Sequence, residues 1–281
     1  MSATIGALLA AARPRLAAAP FRPSTREGAL LLGAVLGLSE AQVFARPGAA
    51  VADADAARFA ELLARRLTGE PVSYLLGERE FFGRPFHVDS RVLIPRPETE
   101  HVVESALAVH PPPGAWLLDV GTGSGCLAIT LALEIPQSRA VATDLSPGAL
   151  AVARRNARRH RVEDRVHLLA ADLADGLDLS RFDLAVSNPP YVDRAAAPSL
   201  SPEVCNFEPH LALFSPGAGD STLARLFGAA SGLRSGVPLV VEIGYGQFDA
   251  ARRHAAQSAL DLTGVRRDYA GIPRVLTLKR R

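Results

Sequence analysis

From residue 115 onward the chain alternates between two periods, and this alternation narrows the folds open to it. Apolar runs at 116–120, 140–143, 166–169, 182–186 and 239–243 have the length of buried strands. Between them, segments at 125–133, 147–159, 220–233 and 247–260 have the length and spacing of helices. Strands joined by crossover helices pair in parallel, because each helix returns the chain to the same end of the sheet. The expected architecture is therefore α/β, a mostly parallel sheet with helices on both faces. Two late runs, at 265–269 and 274–278, read as closing strands.

The first 70 residues have a different texture. Ser24-Thr25-Arg26-Glu27 precedes the apolar run Ala29-Leu30-Leu31-Leu32 in the pattern of a capping box, and Ser39-Glu40-Ala41-Gln42 repeats it. Phe59, Leu62, Leu63 and Leu67 share one helix face. Residues 1–70 are expected to form a small helical bundle. Residues 71–110 then supply a hairpin with its turn near Gly83 and a helix whose first residue is Pro97 and which stops before Pro111-Pro112-Pro113-Gly114. The large α/β domain spans 111–281.

Composition excludes several classes. A 48% apolar fraction with 21% charged residues fits a globular chain rather than a disordered one. A net charge of +2 makes no demand for a polyanionic partner, so no stable nucleic-acid partner is expected. Cys126 and Cys205 make neither a disulfide framework nor a metal site, and His87, His101, His160 and His210 lack ligand spacing, so no metal is expected. No apolar run approaches the roughly 20 residues of a membrane span, and the Ala-rich start lacks the order of a signal peptide. A cytoplasmic location follows as the expectation.

Four motifs carry chemistry, and all fall at strand ends. Leu118-Asp119-Val120 runs into Gly121-Thr122-Gly123-Ser124-Gly125, where glycines let the backbone turn sharply and a ligand approach closely. Such a turn suits nicotinamide, flavin and S-adenosylmethionine cofactors alike. Asp144 ends the next strand, where a carboxylate can accept from both ribose hydroxyls; the plainer reading makes it a helix cap. Asp172 and Leu173 follow the third strand, beside the place of an adenine: Asp172 to accept from its amino group, Leu173 to pack on the ring.

Asn188-Pro189-Pro190-Tyr191 closes the fourth strand. Two prolines end the ladder, since neither has an N–H and both fix φ. The Pro189 carbonyl and the Asn188 side chain are left as adjacent acceptors next to the Tyr191 ring. That arrangement suits a planar NH2 group, and by itself does not separate adenine from glutamine.

Together, the glycine turn, Asp144 and Asn188-Pro189-Pro190-Tyr191 resemble the class I S-adenosylmethionine-dependent methyltransferases that modify amino nitrogens. Within them, Ile94-Pro95-Arg96-Pro97-Glu98-Thr99-Glu100 is similar to the signature of the HemK/PrmC family, as are Gly69-Glu70-Pro71, Arg79-Glu80-Phe81-Phe82, Phe207-Glu208-Pro209 and Glu242-Ile243-Gly244. The resemblance implies a Rossmann-like, seven-stranded sheet with a small N-terminal helical domain for substrate recognition. It implies S-adenosylmethionine as cofactor, S-adenosylhomocysteine as product, and the Gly-Gly-Gln glutamine of bacterial class 1 peptide chain release factors as substrate. Gly121, Thr122, Gly123, Ser124, Gly125, Asp144, Asp172, Leu173 and Asn188 would hold the cofactor. Asn188, Pro189, Pro190 and Tyr191 would hold the substrate, with Asn188, Pro189 and Tyr191 serving catalysis. A glutamine methyltransferase of a large-subunit ribosomal protein and a nucleic-acid base amino-methyltransferase are the alternatives.

Two groups are read plainly. Arg154, Arg155, Arg158, Arg159 and Arg161 spread over a solvated helix face. Glu98 and Glu100 favour a helix N-terminus, although the resemblance places them near the active site.

Overall fold

The computed structural model describes residues 3–21, 23–217 and 219–281. They fall into two compact units: residues up to Glu78 together with Leu200–Phe207, and Arg79–Ser199 together with Glu208–Arg281.

The first unit is helical: α1 (Ile5–Ala17), α2 (Glu27–Leu36), α3 (Glu40–Ala45), α4 (Asp53–Leu67) and α5 (Val72–Leu76). Phe59, Leu62 and Leu63 of α4 are buried with Leu31 and Leu32 of α2 and Val43 of α3, the outcome expected of apolar positions three and four apart. The capping box at α3 forms: Gln42 N donates to Ser39 Oγ (3.3 Å) and Ser39 N to Gln42 Oε1 (2.8 Å).

At α2 the expected box is incomplete. Ser24 N donates to Glu27 Oε1 (3.0 Å), but the Ser24 hydroxyl accepts from Arg26 N, and the helix starts at Glu27 without a side-chain cap. The Glu27 carboxylate is held at the same time by Arg66, which donates from Nε to Oε2 (2.6 Å). Arg66 is 2% exposed. It also pairs with Glu203 of the segment 202–207, donates to the Glu70 carbonyl (3.1 Å) and lies over the Phe21 ring. A buried guanidinium needs such partners, because an unpaired charge there would be strongly destabilising.

In the second unit, β1 (Glu78–Phe81) and β2 (Arg84–His87) pair as a hairpin, and a 3-10 turn, Pro97–Thr99, leads into α6 (Glu100–Ala108). Glu100 Oε1 accepts from Phe82 N (2.9 Å), so this carboxylate ties the hairpin to the helix start. Then come β3 (Trp116–Val120), α7 (Cys126–Glu134), β4 (Arg139–Asp144), α8 (Pro147–Arg159), β5 (Val166–Ala170), β6 (Leu184–Ser187), β7 (Val192–Asp193), α9 (Pro202–Phe207), α10 (His210–Leu213), β8 (Phe214–Ser215), α11 (Ser221–Ala230), β9 (Pro238–Glu242), α12 (Phe248–Gln257), β10 (Leu260–Arg267) and β11 (Pro273–Arg280). Of these, α9 belongs to the first unit.

Seven strands form one sheet in the order β10-β11-β9-β6-β3-β4-β5. The strands from β9 to β5 pair in parallel, and β11 joins antiparallel to β9 and to β10. Successive side chains point to opposite faces. Leu117, Ala140 and Leu184 accordingly pack with α6 and α7, whereas Leu118, Val120 and Ala185 pack with α11 and α12. The strand order reverses at the β3–β6 pair. The crevice outside the C-terminal ends of those two strands is where open α/β sheets bind ligands.

One closing element differs from the expectation. The helix of 247–260 ends at Gln257; Ala259 takes a left-handed φ of +54°, and the chain is already in β10 at Leu260. The strand expected at 265–269 thus begins five residues earlier. Leu260 is buried in either periodicity, and only its pairing opposite Arg280 decides for the strand.

Candidate active site

The glycine turn is built by hydrogen bonds to its neighbours. Gly121 N and Thr122 N both donate to the Thr143 carbonyl at the end of β4 (2.9 and 2.8 Å). Asp119 Oδ2 accepts from the Thr122 hydroxyl (2.6 Å) and from Ala128 N in α7 (3.1 Å). Gly121 and Gly123 have φ of +76° and +56°, and a Cβ on either would meet no atom within 4 Å. The left-handed backbone requires glycine here, and the space beyond it belongs to a cavity.

Asp144 holds the same turn from the other side. Its Oδ2 accepts from Gly123 N (2.9 Å) and its Oδ1 from Ser146 N (2.8 Å). The cap of α8 is Ser146, whose hydroxyl accepts from Ala149 N, so the carboxylate is not the helix cap. Two carboxylate oxygens offer about four acceptor sites, which leaves capacity for hydroxyl donors. Burial raises the Asp144 pKa.

The cavity has a volume of about 520 Å³, within the range of small-ligand sites. Gly121, Thr122, Gly123, Ser124, Asp144, Asp172, Leu173, Asn188 and Pro190 line it. Asp172 Oδ2 accepts from Arg225 (2.8 Å), and Leu173, at φ +53°, offers its carbonyl to the Thr143 hydroxyl (2.6 Å). Gly125, Pro189 and Tyr191 are not in the lining. Gly125 is the N-cap of α7, packed against Ile129 and Ala153; Pro189 is buried; the Tyr191 hydroxyl turns to Glu242.

Other walls had no signal in the sequence pattern. Leu145, 54% exposed, presents an apolar surface directly after Asp144. Arg91, Val92 and Leu93 come from the loop after β2, and His210 and Phe214 from the segment after α9.

Behind Asn188 lies a buried hydrogen-bond chain. Asn188 Nδ2 donates to Thr99 Oγ1 (3.0 Å), Thr99 donates to Glu242 Oε2 (2.7 Å), and the Tyr191 hydroxyl donates to Glu242 Oε1 (3.2 Å). Burial pushes the Glu242 carboxyl up to about 7, against the two hydroxyl donors and with Glu98 adding to the rise. Burial likewise raises Asp119 to about 7 and the Cys126 thiol to about 12. Close by, Glu208 Oε2 accepts from Ile94 N (3.1 Å) and pairs with Arg96, so two separate sequence motifs hold each other.

The Glu242 shift has a stability consequence. An ordinary glutamate titrates near 4.3, so between about pH 4.3 and 7 the folded chain keeps a proton that the unfolded chain has released. The folded state binds more protons in this window, and the contribution of Glu242 to stability falls as pH rises through it. Gln cannot ionise. The Tm of Glu242→Gln relative to the unmodified protein is therefore expected to increase from pH 5 to pH 8 in scanning calorimetry; a constant difference would contradict the assignment.

Comparison with known proteins bears on this site. Residues 7–77 match a family model described as the PrmC N-terminal domain, and residues 103–203 one described as the methyltransferase small domain. The release factor glutamine methyltransferase of Nitratidesulfovibrio vulgaris is 41% identical over 282 residues, covering 99% of this chain and 96% of that protein. The chain belongs to the release factor glutamine methyltransferase family. The protein of the same name from Bordetella pertussis is 44% identical over 259 residues, with 89% of this chain and 92% of that protein covered. Among solved structures, a methyltransferase from Pyrococcus furiosus superposes with a TM-score of 0.54 at 16% identity, over 79% of this chain and 98% of its own. A ribosomal protein L11 methylase from Lactobacillus delbrueckii subsp. bulgaricus gives 0.51 at 20% identity, over 66% and 80%. These two share the fold.

Membership makes the chain an S-adenosylmethionine-dependent methyltransferase, and the residues present fit that cofactor. The glycine turn leaves open space where side chains would stand, Asp144 retains acceptor capacity, and Leu145 and Leu173 offer apolar surface. Asp119 Oδ1 is buried with no hydrogen-bond partner among the described residues, but Asp119 is not part of the cavity lining. No helix among the described residues is long and apolar enough to cross a membrane.

Proposed function

We propose that this chain transfers the methyl group of S-adenosylmethionine to the side-chain amide nitrogen of the Gly-Gly-Gln glutamine in class 1 peptide chain release factors. One observation carries the reading: Asn188 stands on the cavity wall at the end of β6 with Nδ2 engaged by Thr99. Asn188 thus shares the cavity of the glycine turn and Asp144.

Bound there, S-adenosylmethionine supplies an electrophilic methyl group carried on a sulfonium sulfur. The protein's task is the nucleophile, an amide nitrogen whose lone pair is delocalised. Asn188 Oδ1 accepts one N–H of the glutamine amide; the Pro189 carbonyl, although its residue lies outside the cavity lining, is the next acceptor along the chain and takes the second. Both bind more strongly as positive charge develops on nitrogen, which lowers the barrier rather than merely binding the substrate. Held in line about 3–3.5 Å from the methyl carbon, the nitrogen would be in near-attack geometry; as the N–C bond formed the S–C bond would break, S-adenosylhomocysteine would leave and the nitrogen would release one proton to water. Tyr191, anchored through its hydroxyl to Glu242 and through its carbonyl to Gln247 Nε2 (2.9 Å), fixes the course of the loop that presents these acceptors. Gly121 to Ser124, Asp144, Asp172 and Leu173 hold the cofactor, and Gly125 shapes the end of the turn at the start of α7. The helical unit that contains residues 7–77, which match the PrmC N-terminal domain, grips the release factor outside the Gly-Gly-Gln loop.

Mass spectrometry of purified release factor after incubation with enzyme and cofactor tests the reading. A gain of one methyl on the Gly-Gly-Gln glutamine is expected. No methyl there, with methylation of a ribosomal protein or of a nucleic-acid base instead, would overturn it.

A further inference from the structure

We propose that Thr99, braced by Glu242, sets which end of the Asn188 side-chain amide faces the substrate, and is thus a positioning residue for methyl transfer. The inference rests on the reading of Asn188 as the substrate's acceptor. A carboxamide has nearly the same shape when its oxygen and nitrogen exchange places, but the two ends have opposite chemistry. With Oδ1 toward the cavity, Asn188 accepts from the incoming amide. With Nδ2 there, it would point N–H at N–H, and the substrate could not be held for attack.

The structure supplies the device that breaks this symmetry. A hydroxyl has one proton and two lone pairs. With Glu242 ionised, the Thr99 proton is committed to Glu242 Oε2 at 2.7 Å, so toward Asn188 the Thr99 oxygen can only accept. Nδ2 of Asn188 meets that acceptor at 3.0 Å, and Oδ1 is left pointing away from Thr99. The Glu242 carboxylate is itself held on its second oxygen by the Tyr191 hydroxyl at 3.2 Å. Thr99 and Glu242 are each 2% exposed, so water does not compete for these bonds. Gly244 completes the arrangement: a Cβ there would come within 2.8 Å of Tyr191 Cδ2 and displace the ring that holds Glu242. Asn188, Thr99, Glu242 and Tyr191 come from three separate stretches of the chain and meet in one chain of bonds.

The experiment compares full-length wild type, Thr99→Val, Thr99→Ser and Asn188→Ala with intact release factor, reading kcat, KM for the factor and calorimetric Kd for S-adenosylmethionine. Thr99→Val keeps the side-chain shape and removes the hydroxyl. It is expected to lower kcat about tenfold or more, roughly 1.4 kcal/mol of activation free energy, with cofactor Kd and KM within about threefold, because the rest of both binding surfaces is untouched. Thr99→Ser restores the hydroxyl and is expected to recover kcat to within about threefold of wild type. Wild-type kcat in Thr99→Val overturns the inference, as does a Thr99→Ser as slow as Thr99→Val. Asn188→Ala separates the two levels. If it turns over like wild type, the acceptor reading itself fails; if it is inactive while Thr99→Val is normal, only the positioning role fails.

Discussion

Asn188→Ala is expected to lower methyl transfer to the release factor by about 10²–10³-fold, the effect of deleting one preorganised polar group that acts on charge developing in the transition state. Cofactor affinity should stay within about threefold, because the glycine turn and Asp144 remain in place. The size follows from what the alanine cannot do. The substrate nitrogen loses one of two acceptors, its amide is no longer aligned with the methyl carbon, and the Thr99 oxygen loses the N–H that it accepts. The loss should appear in kcat, since the acceptor acts on charge that develops only in the transition state. Single-turnover methylation with saturating cofactor, beside calorimetric titration of the cofactor, checks both halves. A variant that turns over normally would remove Asn188 from the chemistry.

Asp144→Ala should fail in the opposite way, with cofactor binding weakened about 100-fold. Two hydrogen bonds from ribose hydroxyls to a carboxylate are together worth roughly 3 kcal/mol, and each 1.4 kcal/mol is tenfold in affinity. The variant also leaves Gly123 N and Ser146 N without the acceptor that shapes the turn. Asp144→Asn, which keeps an acceptor oxygen, should fall between the two. Thermal shift gives an independent reading, because a ligand stabilises the fold by RT ln(1 + [L]/Kd): at one cofactor concentration the shift should shrink in the order wild type, Asn, Ala. Equal affinity in Asp144→Ala would refute the ribose role.

Chemistry confined to one strand end was legible in the sequence. The alternation after residue 115 announces a parallel sheet, and the glycines, Asp144 and Asn188 announce themselves because each sits where an apolar run stops. Such features are local: a left-handed turn needs glycine, and a proline pair ends a ladder, whatever surrounds them. The same locality misled at the C-terminus, where Leu260 fits a helix face as well as a strand, and only pairing with Arg280 separates the two. It misled again at Ser24, whose hydroxyl accepts from Arg26 N instead of capping α2, although Glu27 supplies its half of the box.

What no window of sequence contained is the set of partners. Thr99 finds Glu242 across 143 residues and Asn188 across 89; Arg66 finds Glu203 across 137. Periodicity registers which residues are buried, but a hydrogen bond between buried groups depends on where distant strands end up, and that is decided by the order and register of the sheet. By itself, then, the sequence determined the fold class and marked the glycine turn, Asp144 and Asn188 as candidate binding residues. Only the tertiary structure decided what the Asn188 amide bonds to, because a carboxamide has two interchangeable ends and the group that distinguishes them arrives from another part of the chain.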